Sequence, residues 1–519
     1  MGMVAPPHRI ASAYVVFFGS YGEVSRYAQE RGVCRQWVYR EARWVQHRLE
    51  AEQQDNQQLR EQTKQLRQRV GELEQQLAVA VVLDKQKQEE FASVGQAVGV
   101  SLPSCWCLLD VLIPGRQESV STLGRATKAA GEKAGQLLAV CDEWARERLR
   151  DAAADEIYVS APVLMVVEQE SLCWMTGRLS PEVSGEAWAQ EFRQFPNLEQ
   201  TSRDGGKGLK KGVALVNAER QAQGTPPMVD KGDHFHALRG GSVGLRREEM
   251  QTRQALAKAE AAQKALEECR RQGTCERIAT IRANSAWRQA EKLMDRWSER
   301  EQLWQKTKEA LRLFTPEGEL NTRQQATAVL ETTLPLLPDA FAKTKRQLQQ
   351  PEMLNYLDHV QQQLAALPYP EKVKQAAVRQ EGLRRRPELL QGEGTKAAAL
   401  RGVLLVSAVV LAKAQEMGQQ AQAAVRDILR RAYRASSLVE CINSVVRMHQ
   451  GRHRKMTQGL LDLKRLHWNC HAFRTGRRRA TTPYQRLGMP WPEGLRWWEL
   501  LKLTPEQLRN KLSTAKKPE

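Results

Sequence analysis

One stretch breaks the helical rhythm that runs through the rest of this chain. DEIYVS (155–160), PVLMVVEQ (162–169) and LCWMTGRL (172–179) are short β-branched or aromatic runs, separated by Pro162 and by Glu170-Ser171. Runs of that length and composition read as strands, and their close spacing predicts three consecutive strands in an antiparallel meander. A helix is expected over Ser184–Phe192, followed by a short segment that ends at Asp204. With 519 residues the chain is too long for a single core. The lone β region is therefore expected to be one part of a multidomain α/β protein.

The flanking sequence is helical in pattern. Over residues 1–48 the chain suggests a helix-turn-helix: Ala28, Gly32 and Val38 stand at relative positions 0, +4 and +10, where a small residue, a turn glycine and a core residue are wanted. Its second helix would start near Cys34 and present Arg35, Gln36, Tyr39 and Arg40 to DNA. Plain helical packing explains the same pattern. Residues 49–83 form a polar helix in which Leu59, Thr63, Leu66, Val70, Leu73 and Leu77 make an a/d seam, fit either for a dimerisation coiled coil or for packing within the chain. Over 84–150 the offsets recur at Gly95, Gly99 and Cys105, which marks a second helical DNA-binding region. The β-rich core spans 151–242, an all-α stretch punctuated by prolines covers 243–434, 435–489 follows, and 490–519 is an aromatic tail. Trp287, Trp297 and Trp304 share one amphipathic helix of the all-α stretch and read as helix–helix contacts.

Lys and Arg exceed Asp and Glu by 79 − 60 = 19, and the excess is concentrated: Arg426–Arg486 holds 15 basic residues against three acids. A patch of that kind favours a polyanionic partner through counterion release. Nine scattered cysteines form no CxxC pair and suit a reducing cytoplasm. The longest apolar run, Gly402–Ala412, is short of the ~20 residues a membrane span needs, so no membrane partner is expected.

Three acids stand out. Asp155 heads the first strand, Asp204 precedes two glycines that let it project over a sheet edge, and Glu440 lies in SSLVECINSVVRMH. On that helix Glu440, Asn443, Ser444 and Arg447 share one stripe, with Leu438, Ile442, Val445 and Val446 opposite. Each acid also has a structural explanation: an arginine partner for Asp155, an Asp-Gly turn at Asp204, and a capping box from Ser437 to Glu440.

The strands from Asp155, the loop DGGKGLKKGVAL (204–215), the segment GDHFHAL (232–238) and above all VECINSVVRMHQGRHRKMTQGLLDLKRLHWNCHAFRTGRRRATTPYQRLG (439–488) resemble insertion-sequence transposases with an RNase H-like DDE domain. The similarity covers roughly 85–240 and 430–489. It implies an RNase H-like mixed sheet interrupted by an all-α insertion, and a catalytic triad of Asp155, Asp204 and Glu440 that holds two Mg²⁺ or Mn²⁺ ions. It further implies Mg²⁺-dependent cleavage and strand transfer on double-stranded DNA at transposon ends, at least a homodimer when two ends are paired, and a bacterial, cytoplasmic, nucleoid-associated setting. Asp233, His236 and Asn443 are expected to support the triad. Arg447, Arg452, His453, Arg454, Lys455, Arg477 and Arg478 are expected to meet phosphates, while Trp468 and Phe473 read as packing rather than base stacking. Against the family pattern, the run LEQTSR before Asp204 is polar where an apolar strand is usual. Two rival readings share many of these features: a catalytically inactive, transposase-derived DNA-binding regulator, and an RNase H-like nuclease without strand transfer.

Overall fold

The computed structural model describes residues 6–79, 83–114, 118–274, 276–450, 455–492 and 494–515, in two compact units, Met1–Lys87 and Gln88–Glu519. The N-terminal unit consists of helices α1 (Pro7–Phe18), α2 (Glu23–Glu30) and α3 (Arg35–Val79). Gly32 makes the turn between α2 and α3 at φ +65°, a left-handed conformation that a Cβ would strain. Ala28 and Val38, at their expected offsets, are both buried. The expected boundary at residue 48 does not exist, because α3 continues unbroken for 45 residues. No glycine or proline stands between Glu41 and Leu59 to stop it.

In the second unit, α4 (Lys85–Val98) and α5 (Leu102–Leu112) repeat the arrangement. Gly99 turns at φ +104°, Ser101 caps α5, and a Cβ on Gly95 would lie 2.5 Å from the buried Cys105 Sγ. Helix α6 (Val120–Ala145) then leads into a five-stranded mixed sheet of order β3-β2-β1-β4-β5. The strands are β1 (Asp151–Tyr158), β2 (Pro162–Glu168), β3 (Trp174–Leu179), β4 (Gln200–Arg203) and β5 (Val229–Gly232). The first three form the expected antiparallel meander, while β4 and β5 run parallel to β1. Helices α7 (Gly185–Arg193, capped by Ser184) and α8 (Lys207–Ala222) make the crossovers.

Strand β1 starts four residues earlier than its β-branched run, at Asp151, so Asp155 lies within the strand rather than at its head. Ala152–Ala154 read as helix by propensity, yet they pair on both sides and are fully buried. A strand covered on both faces needs apolar residues at every position, and small ones serve. Alternation then sorts the side chains. Ala152 and Ala154 pack with α6, α7 and α8, and Ala153 and Ile157 pack on the face that carries Asp155.

The polar run before Asp204 is nevertheless a strand, and all four residues of β4 are buried. Gln200 donates to Asp151 and to the Arg431 carbonyl and accepts from Lys231 Nζ at 2.7 Å. Arg203 pairs with Asp230 at 2.6 Å and Glu352 at 3.1 Å. These charges are buried because each is paired.

Helix α9 (His234–Arg271) begins immediately after β5, so the all-α insertion starts nine residues before the expected position 243. It continues through α10 (Glu276–Ala310), α11 (Arg323–Thr333), α12 (Ala342–Leu348), α13 (Asn355–Ala365), α14 (Glu371–Arg385), α15 (Thr395–Lys413) and α16 (Gln415–Arg430). Of the three tryptophans on α10, Trp304 is fully buried in the insertion's core and Trp287 packs in a small satellite cluster. Among the described residues α15 is the one helix long and apolar enough to cross a membrane, because residues outside the Gly402–Ala412 run extend it. It packs against α14 and α16 and leaves Leu405, Val406 and Val409 exposed.

The chain returns to the sheet through α17 (Ser437–Gln450), then α18 (Gln458–Cys470), α19 (Pro483–Arg486), α20 (Trp497–Leu500) and α21 (Pro505–Thr514). The expected tail is part of the main core: Trp491, Trp497, Leu500, Leu508 and Leu512 are buried there, with α21 against α6. Helix α18 crosses α6 so closely that a Cβ on Gly131 would lie 2.6 Å from the Gly459 carbonyl oxygen.

Candidate active site

Register brings the acids together. Ala154 of β1 pairs with Arg203 of β4, and Arg203 pairs with Gly232 of β5. The next residue on each of these three parallel strands is Asp155, Asp204 and Asp233. Three carboxylates thus stand in a row at the same level of neighbouring strands, a spacing of roughly 4.8 Å per strand. That row lies toward the carboxyl ends of the parallel strands, where open α/β sheets place their ligands.

Helix α17 lies over β1 and β2 on the Asp155 face. Its buried stripe is Val439, Ile442, Asn443 and Val446, so Asn443 belongs to the sheet-facing side and not with Ser444 and Arg447. The reason is a polar contact: Asn443 Nδ2 donates to Asp155 Oδ2 at 2.8 Å, in an otherwise apolar interface. Glu440, one turn earlier, lies at the border of that stripe, half-buried. Its carboxylate faces His236 Nε2 at 3.4 Å and Arg447 Nη1 at 2.7 Å.

The fourth acid plays a different part. Asp233 caps α9 by accepting from the Phe235 and His236 amides, and its other oxygen accepts from the Ser436 amide and hydroxyl and pairs with His236 Nδ1 at 2.7 Å. With both oxygens engaged it is an anchor for His236 and for the start of α17. Burial opposes its ionisation, but hydrogen bonds from His236 and Ser436 outweigh burial and hold the carboxyl below the usual range. The same hydrogen bond, against burial, raises His236 to about 9, so the ring is a cation between Asp233 and Glu440.

Asp155 is nearly inaccessible, and burial together with the charges of Asp204 and Glu440 pushes it up to about 6, with His236 acting in the opposite sense. Its remaining oxygen accepts from the Glu156 amide at 2.9 Å. Asp204 accepts from the Gly206 amide at 2.8 Å, a tight Asx turn of the kind its Asp-Gly sequence signals. Glu156 is a site residue that sequence reasoning missed. It points to the other face of β1, yet a Cβ on Gly206 would meet its Oε1 at 3.2 Å and Asp204 Oδ1 at 3.0 Å. Burial, with Asp204 and Asp155 nearby, raises it to about 7. The adjacent Asp-Glu pair at a strand's carboxyl half was the available signal.

Carboxylates are crowded here, and among the described residues His236 and Arg447 are the cations paired with the site's acids. The oxygens that could take part in holding a cation are those of Asp155, Asp204, Glu440 and Glu156. Among the described residues, no three His, Cys, Asp or Glu side chains already enclose such a position.

The basic residues are dispersed. Arg35, Gln36, Tyr39 and Arg40 are exposed on the first turns of α3 in the N-terminal unit. Arg447 is exposed beside Glu440, and Lys455 and Arg477 are exposed. Arg478 is half-buried and donates to the Glu170 carbonyl at 2.9 Å, which makes it in part a structural tie. Arg452, His453 and Arg454 lie outside the described residues. Trp468 donates to the Leu172 carbonyl and packs with Phe473, as expected of packing residues.

Comparison with protein-family models, with curated proteins and with solved structures finds no match to this chain.

Proposed function

We propose that this chain is a metal-dependent polynucleotidyl transferase built on an RNase H-like sheet. Within that class we infer a DDE transposase, which cleaves DNA at the ends of a mobile element and joins the freed ends to a target. The observation that carries this reading is the adjacency of Asp155 and Asp204 on neighbouring parallel strands, with the charge of Glu440 acting on Asp155 from a helix that returns after some two hundred residues of insertion. That donor set is all carboxylate oxygen, which suits a hard divalent cation, and its mutual repulsion is relieved by one.

Asp155, Asp204 and Glu440 would hold two Mg²⁺ or Mn²⁺ ions. Ions bound there would ease deprotonation of the attacking water or 3′-hydroxyl and stabilise the departing oxygen. The chain's own groups set the stage. Asn443 fixes one oxygen of Asp155, the Gly206 amide turns Asp204, and His236, anchored on Asp233, orients Glu440. Arg447 sits at the rim, where a phosphate would compete with Glu440 for its guanidinium.

The test is Mg²⁺-dependent nicking of supercoiled DNA that carries the element's ends, using the full chain. Asp155→Asn and Glu440→Gln are each expected to abolish nicking while leaving end binding within about twofold, since neither removes a basic side chain that would meet phosphate. Unchanged nicking in either variant would refute the assignment. Metal-independent binding with no nicking under any divalent ion would support the regulator instead.

A further inference from the structure

Leu59, Leu66, Val70, Leu73 and Leu77 lie along one line of α3 and are 59%, 67%, 51%, 48% and 70% exposed. Among the described residues of the N-terminal unit nothing covers them, and a single helix gains nothing by displaying five such side chains to water. We propose that this line is covered by α3 of a second copy of the chain, running parallel and in register.

The choice of occupant and orientation comes from the heptad. With Leu59, Leu66 and Leu73 at d, the a positions are Asn56, Thr63, Val70 and Leu77. Leucine at d with β-branched residues at a favours two parallel strands, and a single asparagine at a fixes register at some cost in stability. Asn56 opens the seam, since the d position before it is Glu52. A shallow depression lined by Asn56, Leu59, Arg60, Thr63, Lys64 and Arg67 lies along one flank of this line, where a partner's side chain would insert.

Flanking charge separates the two orientations. In a parallel pair each g residue faces the e residue five positions on in the partner, which matches Asp55 with Arg60 and Arg69 with Glu74, and Gln62 with Arg67. No like charges meet. The antiparallel pairing that uses the same seam sets Leu59 against Leu77 and brings Arg67 near Arg67 and Arg69 near Arg69 of the partner. Arg69 now reaches Glu72 of its own helix at 3.2 Å, an exposed contact that is easily exchanged.

A parallel pair puts both copies of Arg35, Gln36, Tyr39 and Arg40 at one end of the coil, related by a twofold axis. If those residues read DNA, as the function proposed above holds, the site they read is an inverted repeat. The dimer itself does not rest on that reading.

The experiment uses the full chain in nucleic-acid-free buffer. Light scattering at micromolar concentration is expected to give twice the 58.9 kDa of one chain. The double variant Leu66→Glu/Leu73→Glu is expected to weaken association by about tenfold or more; both positions are exposed in a single copy, so unaltered circular dichroism will show that the fold survives. For orientation, Leu59→Cys is expected to form an oxidised dimer beyond the background of the native cysteines, because position 59 meets itself only in the parallel register. Antiparallel packing would hold the two thiols 18 residues apart, roughly 27 Å. Arg69→Glu should loosen the dimer and Arg69→Glu/Glu74→Arg restore it. A monomer, or a dimer indifferent to the glutamates, overturns the proposal; a dimer that shows neither the cross-link in Leu59→Cys nor the charge-swap rescue overturns its orientation. DNA binding to direct rather than inverted repeats by a confirmed parallel dimer would refute only the reading of the DNA site.

Discussion

Asp155→Asn is expected to make the folded protein more stable while it removes activity, and the gain can be worked from the site. Burial, with Asp204 and Glu440 close by, raises the Asp155 carboxyl from 3.8 to about 6. That rise, at about 1.36 kcal/mol for each tenfold change in acidity, makes the ionised group a penalty of about 3 kcal/mol at neutral pH. Asparagine carries no charge, and the pocket can take it. The amide oxygen accepts from the Glu156 amide as the carboxylate does. The amide nitrogen then needs an acceptor, and Asn443 Oδ1 is buried with no hydrogen-bond partner among the described residues. A flip of the Asn443 amide presents that oxygen, at the cost of leaving its nitrogen unpaired, which returns about 1 kcal/mol of the gain. The net expectation is about 2 kcal/mol. The sign is fixed by linkage: a carboxyl raised in the folded state costs stability progressively as pH rises from 3.8 to about 6, and the loss is complete above that. The variant's advantage should therefore be full at pH 8, about a third as large at pH 5, and turned into a deficit of about 1 kcal/mol below the unfolded pKa of 3.8, where only the unpaired Asn443 nitrogen counts. Thermal melts of both proteins at these pH values measure it. Mg²⁺ should raise the melting temperature of the unsubstituted chain and leave the variant unmoved, because a ligand stabilises only the state that binds it. A variant that melts no higher at pH 8, or whose advantage does not shrink toward acid, would refute the account of Asp155 as a desolvated, crowded charge.

Three other perturbations probe the surroundings. His236→Ala is expected to lose stability that the cationic ring supplies. Because the folded value is raised from 6.5 to about 9, the deficit should be full below pH 6.5 and should close as pH rises through about 9, read by urea titration across that range. Gly131→Ala should destabilise by about 1–3 kcal/mol, since its Cβ would lie 2.6 Å from a backbone oxygen, whereas Gly459→Ala meets nothing nearer than 3.4 Å and should be nearly neutral. Equal melting shifts for the two would show that α6 and α18 do not cross as described. Arg465→Met leaves the buried Asp142 with only the longer 3.7 Å contact to Arg146 and is expected to cost about 3 kcal/mol, measured by chemical denaturation; Arg465→Met/Asp142→Leu should recover much of it.

How far the sequence foretold this structure depended on the kind of signal. Helix-turn-helix offsets were legible twice, because a left-handed glycine and its buried neighbours are local requirements that Gly32 and Gly99 meet in place. The meander was legible because β-branched residues crowd 162–169. Ala152–Ala154 fell outside the strand that Asp155 was expected to head, because alanine has no strand preference of its own, whereas the demand for small side chains comes from strands and helices that pack on both faces. Gln200–Arg203 looked too polar for a central strand, since its partners Asp230, Glu352 and Arg431 are brought in from elsewhere in the chain. Helical period alone assigned Asn443 to the outer stripe; its place on the inner one depends on a bond to Asp155, 288 residues away. Asp155 and Asp204 were nameable, but their adjacency is a matter of register, which no spacing in sequence encodes.

The insertion's two ends meet at the sheet: the His234 amide donates to the Arg434 carbonyl at 2.9 Å, and Ser436 reaches Asp233 across 203 residues. This stitch has a consequence for biogenesis. At roughly 5–20 residues per second, a ribosome needs about 10–40 s to pass from one end to the other. Throughout that interval the nascent chain carries Asp155 and Asp204 but neither Glu440 nor the helix that covers their face of the sheet. The site thus closes late in synthesis, and a chain truncated anywhere within the insertion has two acids and no third.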